Sequence, residues 1–141
     1  MKLQTHAALF VLLLAGCATT VGAYSSGCYE VGAIELDIDA ASGQWSVSAF
    51  CIHRLNDACP ALKDFKFEAG VDANGDGTLQ DSEKIVNVND PNPTGNTVCA
   101  GAASGNIGAG NKGKKVLWNY SCKKGDEATP FISKSGDGTI K

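Results

Sequence analysis

Between Val31 and Cys51 apolar and polar residues alternate with a period of two, and this pattern restricts the chain to β structure. Ile34, Leu36 and Ile38 interleave with Glu35, Asp37 and Asp39. After the turn Ala41-Ser42-Gly43, Trp45, Val47 and Ala49 interleave with Gln44, Ser46 and Ser48. Successive side chains of a strand point to opposite faces, so the stretch reads as a hairpin with one face toward a core and the other in water.

The rest of the chain follows the same rule with weaker signals. Phe65 and Phe67 alternate and predict a strand, Ile85, Val86 and Val88 another, and Val116 to Cys122 a β-rich buried one, while Phe131, Ile132 and Ile140 mark a last strand. Ile52 to Lys63 is polar, carries Pro60 after Cys59, and reads as a disulfide-closed loop with room for one helical turn. Asp90-Pro91-Asn92-Pro93-Thr94-Gly95-Asn96 is turn chemistry throughout. Ala100 to Asn111 is too poor in large apolar groups to supply core. No useful length has helical period and no repeat is present, so the expected class is mostly β, an antiparallel β-sandwich or open barrel.

The first residues place that domain outside the cytoplasm. Lys2 precedes the apolar run Ala7 to Leu14, which at about eight residues is a signal h-region, far short of the roughly 20 needed to span a bilayer. Two processing readings compete. Leu14-Ala15-Gly16-Cys17 matches a bacterial lipobox, giving a 1–16 signal and a lipid-bearing Cys17; Val21-Gly22-Ala23 suits ordinary signal peptidase, giving a 1–23 signal. The apolar run ends directly at the lipobox, which favours lipidation. One domain, 24–141, remains, a size at which one core is buried.

Beyond Cys17 stand Cys28, Cys51, Cys59, Cys99 and Cys122, with no CxxC pair, so an exported chain uses them for disulfides rather than metal thiolates. Local spacing favours Cys51 with Cys59 and Cys99 with Cys122, leaving Cys28 free or paired between chains. The charge is uneven: residues 24–111 hold four cationic side chains against twelve carboxylates, and residues 112–141 seven lysines against three. With a formal net charge of −3, nucleic acid is excluded as a partner, and the basic tail reads as a solvated end.

One segment carries chemistry. Calcium takes six to eight oxygens, so its loop needs carboxylates and carbonyls at intervals that wrap the backbone around the ion. In Asp72-Ala73-Asn74-Gly75-Asp76-Gly77-Thr78-Leu79-Gln80-Asp81-Ser82-Glu83, Asp72, Asn74 and Asp76 offer side-chain oxygens at positions 1, 3 and 5. Gly77 permits the sharp turn. Thr78 offers a carbonyl, Leu79 anchors the loop, Gln80 binds directly or through water, and Glu83 closes the site. These residues resemble the EF-hand loop at each diagnostic position. The resemblance implies Ca2+ as cofactor and ends at the flanks: Phe65 to Val71 alternates as a strand, and only Asp81 to Ile85 can begin an exit helix. A single loop without paired helices implies a structural ion rather than a sensor. Ser133 to Ile140 begins a similar pattern with serine in the first position and stops before a closing acid, so it is not a second site.

No catalytic constellation accompanies the loop. His53 is the sole histidine after the signal, and no serine near it carries a nucleophile signature. Glu35 and Asp37 lie on one solvated strand face rather than as a glycosidase pair. Gly105-Asn106-Ile107-Gly108-Ala109-Gly110 departs from a dinucleotide cradle. Asn119-Tyr120-Ser121 is a glycosylation sequon. Trp45, Trp118, Tyr120 and Tyr29 read as core residues rather than a sugar platform. The expected protein is therefore a non-enzymatic, exported, calcium-binding surface or periplasmic lipoprotein, whose partners are calcium and a membrane reached through its lipid. The alternatives are a self-associating subunit of an extracellular assembly or filament, and a carbohydrate-binding module for surface polysaccharide.

Overall fold

The computed structural model describes residues 16–21 and 24–141, with side chains from Ser25 onward. Among the described residues the chain forms β1 (Gly16–Val21), β2 (Tyr24–Ser25), β3 (Tyr29–Val31), β4 (Ile34–Asp39), β5 (Gln44–Val47), β6 (Phe50–Arg54) and β7 (Leu62–Asp72). A single 3-10 turn (Asp81–Glu83) follows, then β8 (Lys84–Asp90), β9 (Thr97–Ala100), β10 (Ala103–Asn106), β11 (Lys115–Lys124) and β12 (Ile132–Thr139). Three four-stranded antiparallel sheets result, in the orders β1-β4-β5-β10, β2-β3-β6-β9 and β12-β11-β7-β8. They do not close into one barrel. The mostly β, antiparallel expectation holds at that level.

The period-two signal carried over faithfully into β4, where Ile34, Leu36 and Ile38 are buried and Glu35, Asp37 and Asp39 face water. It did not carry through to Cys51. The hairpin of β4 and β5 ends at Ser48, whose N–H donates to the Glu35 carbonyl at 2.9 Å while its hydroxyl accepts the Glu35 N–H at 3.1 Å. Ala49 is exposed, and the inward phase shifts to Phe50 and Ile52, which belong to the second sheet. A shift of one residue turns every later side chain to the other face, which is how one continuous run serves two sheets. One other expectation is corrected: Ile52 to Lys63 holds no helical turn and begins inside β6. The stretch 100–111, poor in large apolar groups, contains the largely exposed strand β10, which pairs with β5 along Ala103 to Asn106.

The core joins the second and third sheets through aromatic contacts. The Phe50 ring lies 4.9 Å from that of Tyr120, 5.6 Å from Phe67 and 5.9 Å from Phe65, centroid to centroid, and all four are buried. Such tilted rings add roughly 0.5–1.5 kcal/mol per pair to the burial of their area. Trp45 and Trp118 are half-buried on the inner faces, each laid over a glycine of the neighbouring edge strand, Gly105 on β10 and Gly136 on β12. A Cβ at Gly136 would stand 2.5 Å from the Trp118 ring, so the glycine and the indole are one packing unit.

The disulfides are Cys28–Cys59 and Cys51–Cys99, with Cα separations of 5.7 and 4.1 Å, and Cys122 is free and buried. This corrects the pairing favoured by local spacing. Cys51 and Cys99 are directly opposed across β6 and β9, whereas Cys122 sits on β11 at an irregularity between Ser121 and Lys123 and points into the core. Sequence distance is a poor guide here because antiparallel sheets bring remote residues face to face. Two disulfides belong to an oxidising, exported setting.

Candidate metal centre

Asp72 ends β7 and Lys84 begins β8, so the segment 73–83 between strand and strand is a hairpin connection rather than a helix–loop–helix. The single exit turn, Asp81–Glu83, is 3-10 and gives way at once to β8. The loop is anchored where it meets β7. A Cβ on Gly70 would lie 2.1 Å from the Glu83 carbonyl oxygen and 2.7 Å from Leu79 Cδ1, so only glycine lets the end of the loop and its apolar anchor close onto the strand. The β7–β8 register shifts at this point, between Ala69 and Gly70.

Inside the loop each carboxylate holds backbone. Asp72, 3% exposed and the buried charged side chain among the described residues, accepts the Gly75 N–H at 2.8 Å on Oδ1 and the Gly77 N–H at 2.9 Å on Oδ2. Gly75 and Gly77 take φ of +76° and +78°, the left-handed region that favours glycine and that aims their amides back at Asp72. Glu83 Oε1 accepts the Ala73 and Asn74 N–H groups at 2.9 and 3.3 Å, and its Oε2 the Gln80 N–H at 3.0 Å, so position 12 ties both ends of the loop. Asp76 accepts the Thr78 hydroxyl at 2.6 Å and its N–H at 2.8 Å on Oδ1, and the Asn74 and Gln80 amide groups at 3.1 and 3.0 Å on Oδ2. The Thr78 hydroxyl and then its N–H hold the Asp76 carboxyl below the usual carboxylate range.

The electrostatics of this loop differ from its surroundings. Nearby Lys84 is shared by Glu68 and Asp81, both at 2.7 Å, and Lys115 pairs with Asp137 at 3.0 Å. Asp72, Asp76 and Glu83 form no ion pair among the described residues. The three carboxylates are held by N–H and O–H donors rather than by a cationic side chain in contact, with Lys115 opposite Asp72 on β11 as the nearby positive charge. An oxygen that accepts one N–H retains a lone pair for an ion, and the donor set is wholly oxygen, which suits a hard cation. Among the described residues no three Asp, Glu, His or Cys side chains converge as a metal cluster. The donor types and the left-handed glycines suit a hard cation such as Ca2+, while the Asn74 and Gln80 amide N–H groups, rather than their oxygens, face Asp76.

The other candidate residues are dispersed. Residues 1–15 of the expected signal, and Gly22 and Ala23 at the alternative cut, lie outside the described residues, and of Cys17 only the backbone is described, opposite Ile38 in the β1–β4 pair. His53 bonds Thr97 at 2.9 Å on the outside of the second sheet, with no nucleophile beside it. Asn119 donates to Glu68 at 3.3 Å. A shallow depression lies on the outer face of the first sheet among Asp37, Gln44, Ser46, Ser104 and Asn106. The contribution of Gly70 was missed in sequence, although a glycine immediately before a ligand run was its visible sign. No family model matches the chain, and neither a curated protein nor a solved structure matches it.

Proposed function

We propose that the chain is an exported, non-enzymatic protein in which one Ca2+ at Asp72, Asn74, Asp76, Thr78, Gln80 and Glu83 staples β7 to β8. The observation that supports this reading is the set of three loop carboxylates that form no ion pair among the described residues, arranged around left-handed Gly75 and Gly77. The bound ion would draw the Asn74 and Gln80 side-chain oxygens inward in place of the amide contacts to Asp76. A loop already held by its own hydrogen bonds loses little entropy on binding, which favours a stabilising ion over a folding switch. The sheets would form a sandwich around the shared core, and acylation of Cys17 would hold β1 at the surface or periplasmic face of a membrane.

Extracellular calcium modules bind at about 10⁻⁴–10⁻³ M, so about 10 mM calcium would stabilise the fold by roughly 1.4–2.7 kcal/mol. Calorimetric melts with calcium and with chelator measure this, and an unchanged midpoint would sink the proposal. Intact mass separates the two processing routes: an acylated chain starting at Cys17 against one starting at Tyr24.

A further inference from the structure

The two disulfides occupy opposite situations. Cys28–Cys59 packs into the core cluster, with Cys59 buried. Cys51–Cys99 lies on the outer face of the second sheet, opposite to the side occupied by Phe50, Ile52, Val98 and Ala100. Cys99 is exposed and Cys51 half-buried, and neither belongs to the core cluster. Just past the end of β3, Gly32 stands beside Cys51, its N–H donating to the Cys51 carbonyl at 2.9 Å, and lays no side chain over the sulfurs. The ends joined by this bridge are also held by the ladder from Phe50↔Ala100 to His53↔Thr97. Opening the bond leaves that ladder in place.

We propose that Cys51–Cys99 is a covalent exchange site for a dithiol, opened on the folded protein while Cys28–Cys59 stays closed. Disulfides exchange by attack of a thiolate on one sulfur, and exposure governs which bridge reacts. One thiolate of the dithiol attacks Sγ of exposed Cys99, forming a mixed disulfide, and Cys51 leaves as a thiolate that takes a proton. The second thiol of the reagent then attacks its own sulfur in the mixed disulfide and releases Cys99. Two electrons and two protons pass to the cysteine pair, and the dithiol leaves as its cyclic disulfide. The bridge encloses β7, the loop 72–83 and β8, so its redox state sets the tether on the segment that carries the candidate metal centre without depending on calcium.

The test treats the folded, exported protein with graded dithiothreitol, quenches with iodoacetamide, and maps alkylated peptides while circular dichroism follows the sheets. The expected result is alkylation of Cys51 and Cys99 at least about tenfold faster than of Cys28 and Cys59, with the β spectrum retained. Equal rates for the two bridges, earlier opening of Cys28–Cys59, or labelling only as the β spectrum is lost would each overturn it.

Discussion

Cys122 shows how a single side chain acquires its character from its place in the sheet. Burial pushes its thiol up to about 11, and its S–H donates to the Lys63 carbonyl at 3.4 Å. The thiolate is the reactive form, so Cys122 is inert in the folded protein. A thiol reagent at pH 8 is expected to leave Cys122 unlabelled in native protein and to label it fully in denaturant; rapid native labelling would contradict the burial. Gly70 makes the opposite case, a residue important for what it lacks. Gly70→Ala would press a methyl onto the Glu83 carbonyl, costing about 1–3 kcal/mol, and would displace the loop's closing acid. Melts of that variant should start lower than wild type and gain less from calcium, and wild-type behaviour would show that the loop does not need this close approach.

At the level of elements, two hairpins depend on a carboxylate that organises the turn. In the β4–β5 turn Asp39 accepts the Ala41 N–H and the Ser42 hydroxyl, both at 2.9 Å, and these bonds, the Ala41 N–H foremost, hold its carboxyl below the ordinary range. A carboxyl depressed in the folded state stabilises it above the unfolded pKa of about 3.9 and loses that contribution as pH falls through the lower folded value. The denaturation midpoints of wild type and Asp39→Asn should therefore differ near pH 6 and converge toward pH 2; a gap independent of pH would assign the effect to something other than the charge. In the β7–β8 loop, Asp72→Asn keeps the size but replaces one of the two acceptor oxygens with an NH2 group. Leaving the Gly75 or Gly77 amide unmatched costs about 1–3 kcal/mol even in chelator, and the calcium-dependent gain should fall as well. Glu83→Gln retains one acceptor oxygen and should lower mainly the calcium-dependent part, measured by paired melts with and without the ion.

For the whole molecule, Cys28–Cys59 links the residue just before β3 to the loop before β7 across 31 residues of sequence. Replacing both cysteines by serine is expected to cost about 2–4 kcal/mol, read from denaturant midpoints; an unchanged midpoint would mean that the core alone holds that loop. The strands β4, β7, β8 and β11 were legible from the chain because each carries its own alternating or apolar pattern, and pattern is a local property. The loop 72–83 was legible as well, since its ligand types, spacing and glycines are all contained within one short segment. The partition of residues 31–51 between two sheets was not, because alternation reports which side chains share a face and is silent about which sheet owns it. The disulfide pairs were not either: Cys51 meets Cys99 only after β6 and β9 have found each other, and that pairing depends on contacts remote in sequence. So the alternation that opens the chain's reading specifies strands and inner faces by local rules, and the oxygen-rich segment 72–83 a candidate loop, whereas sheet membership, cysteine partners and the close approach at Gly70 come from packing, where distant segments compete for the same core.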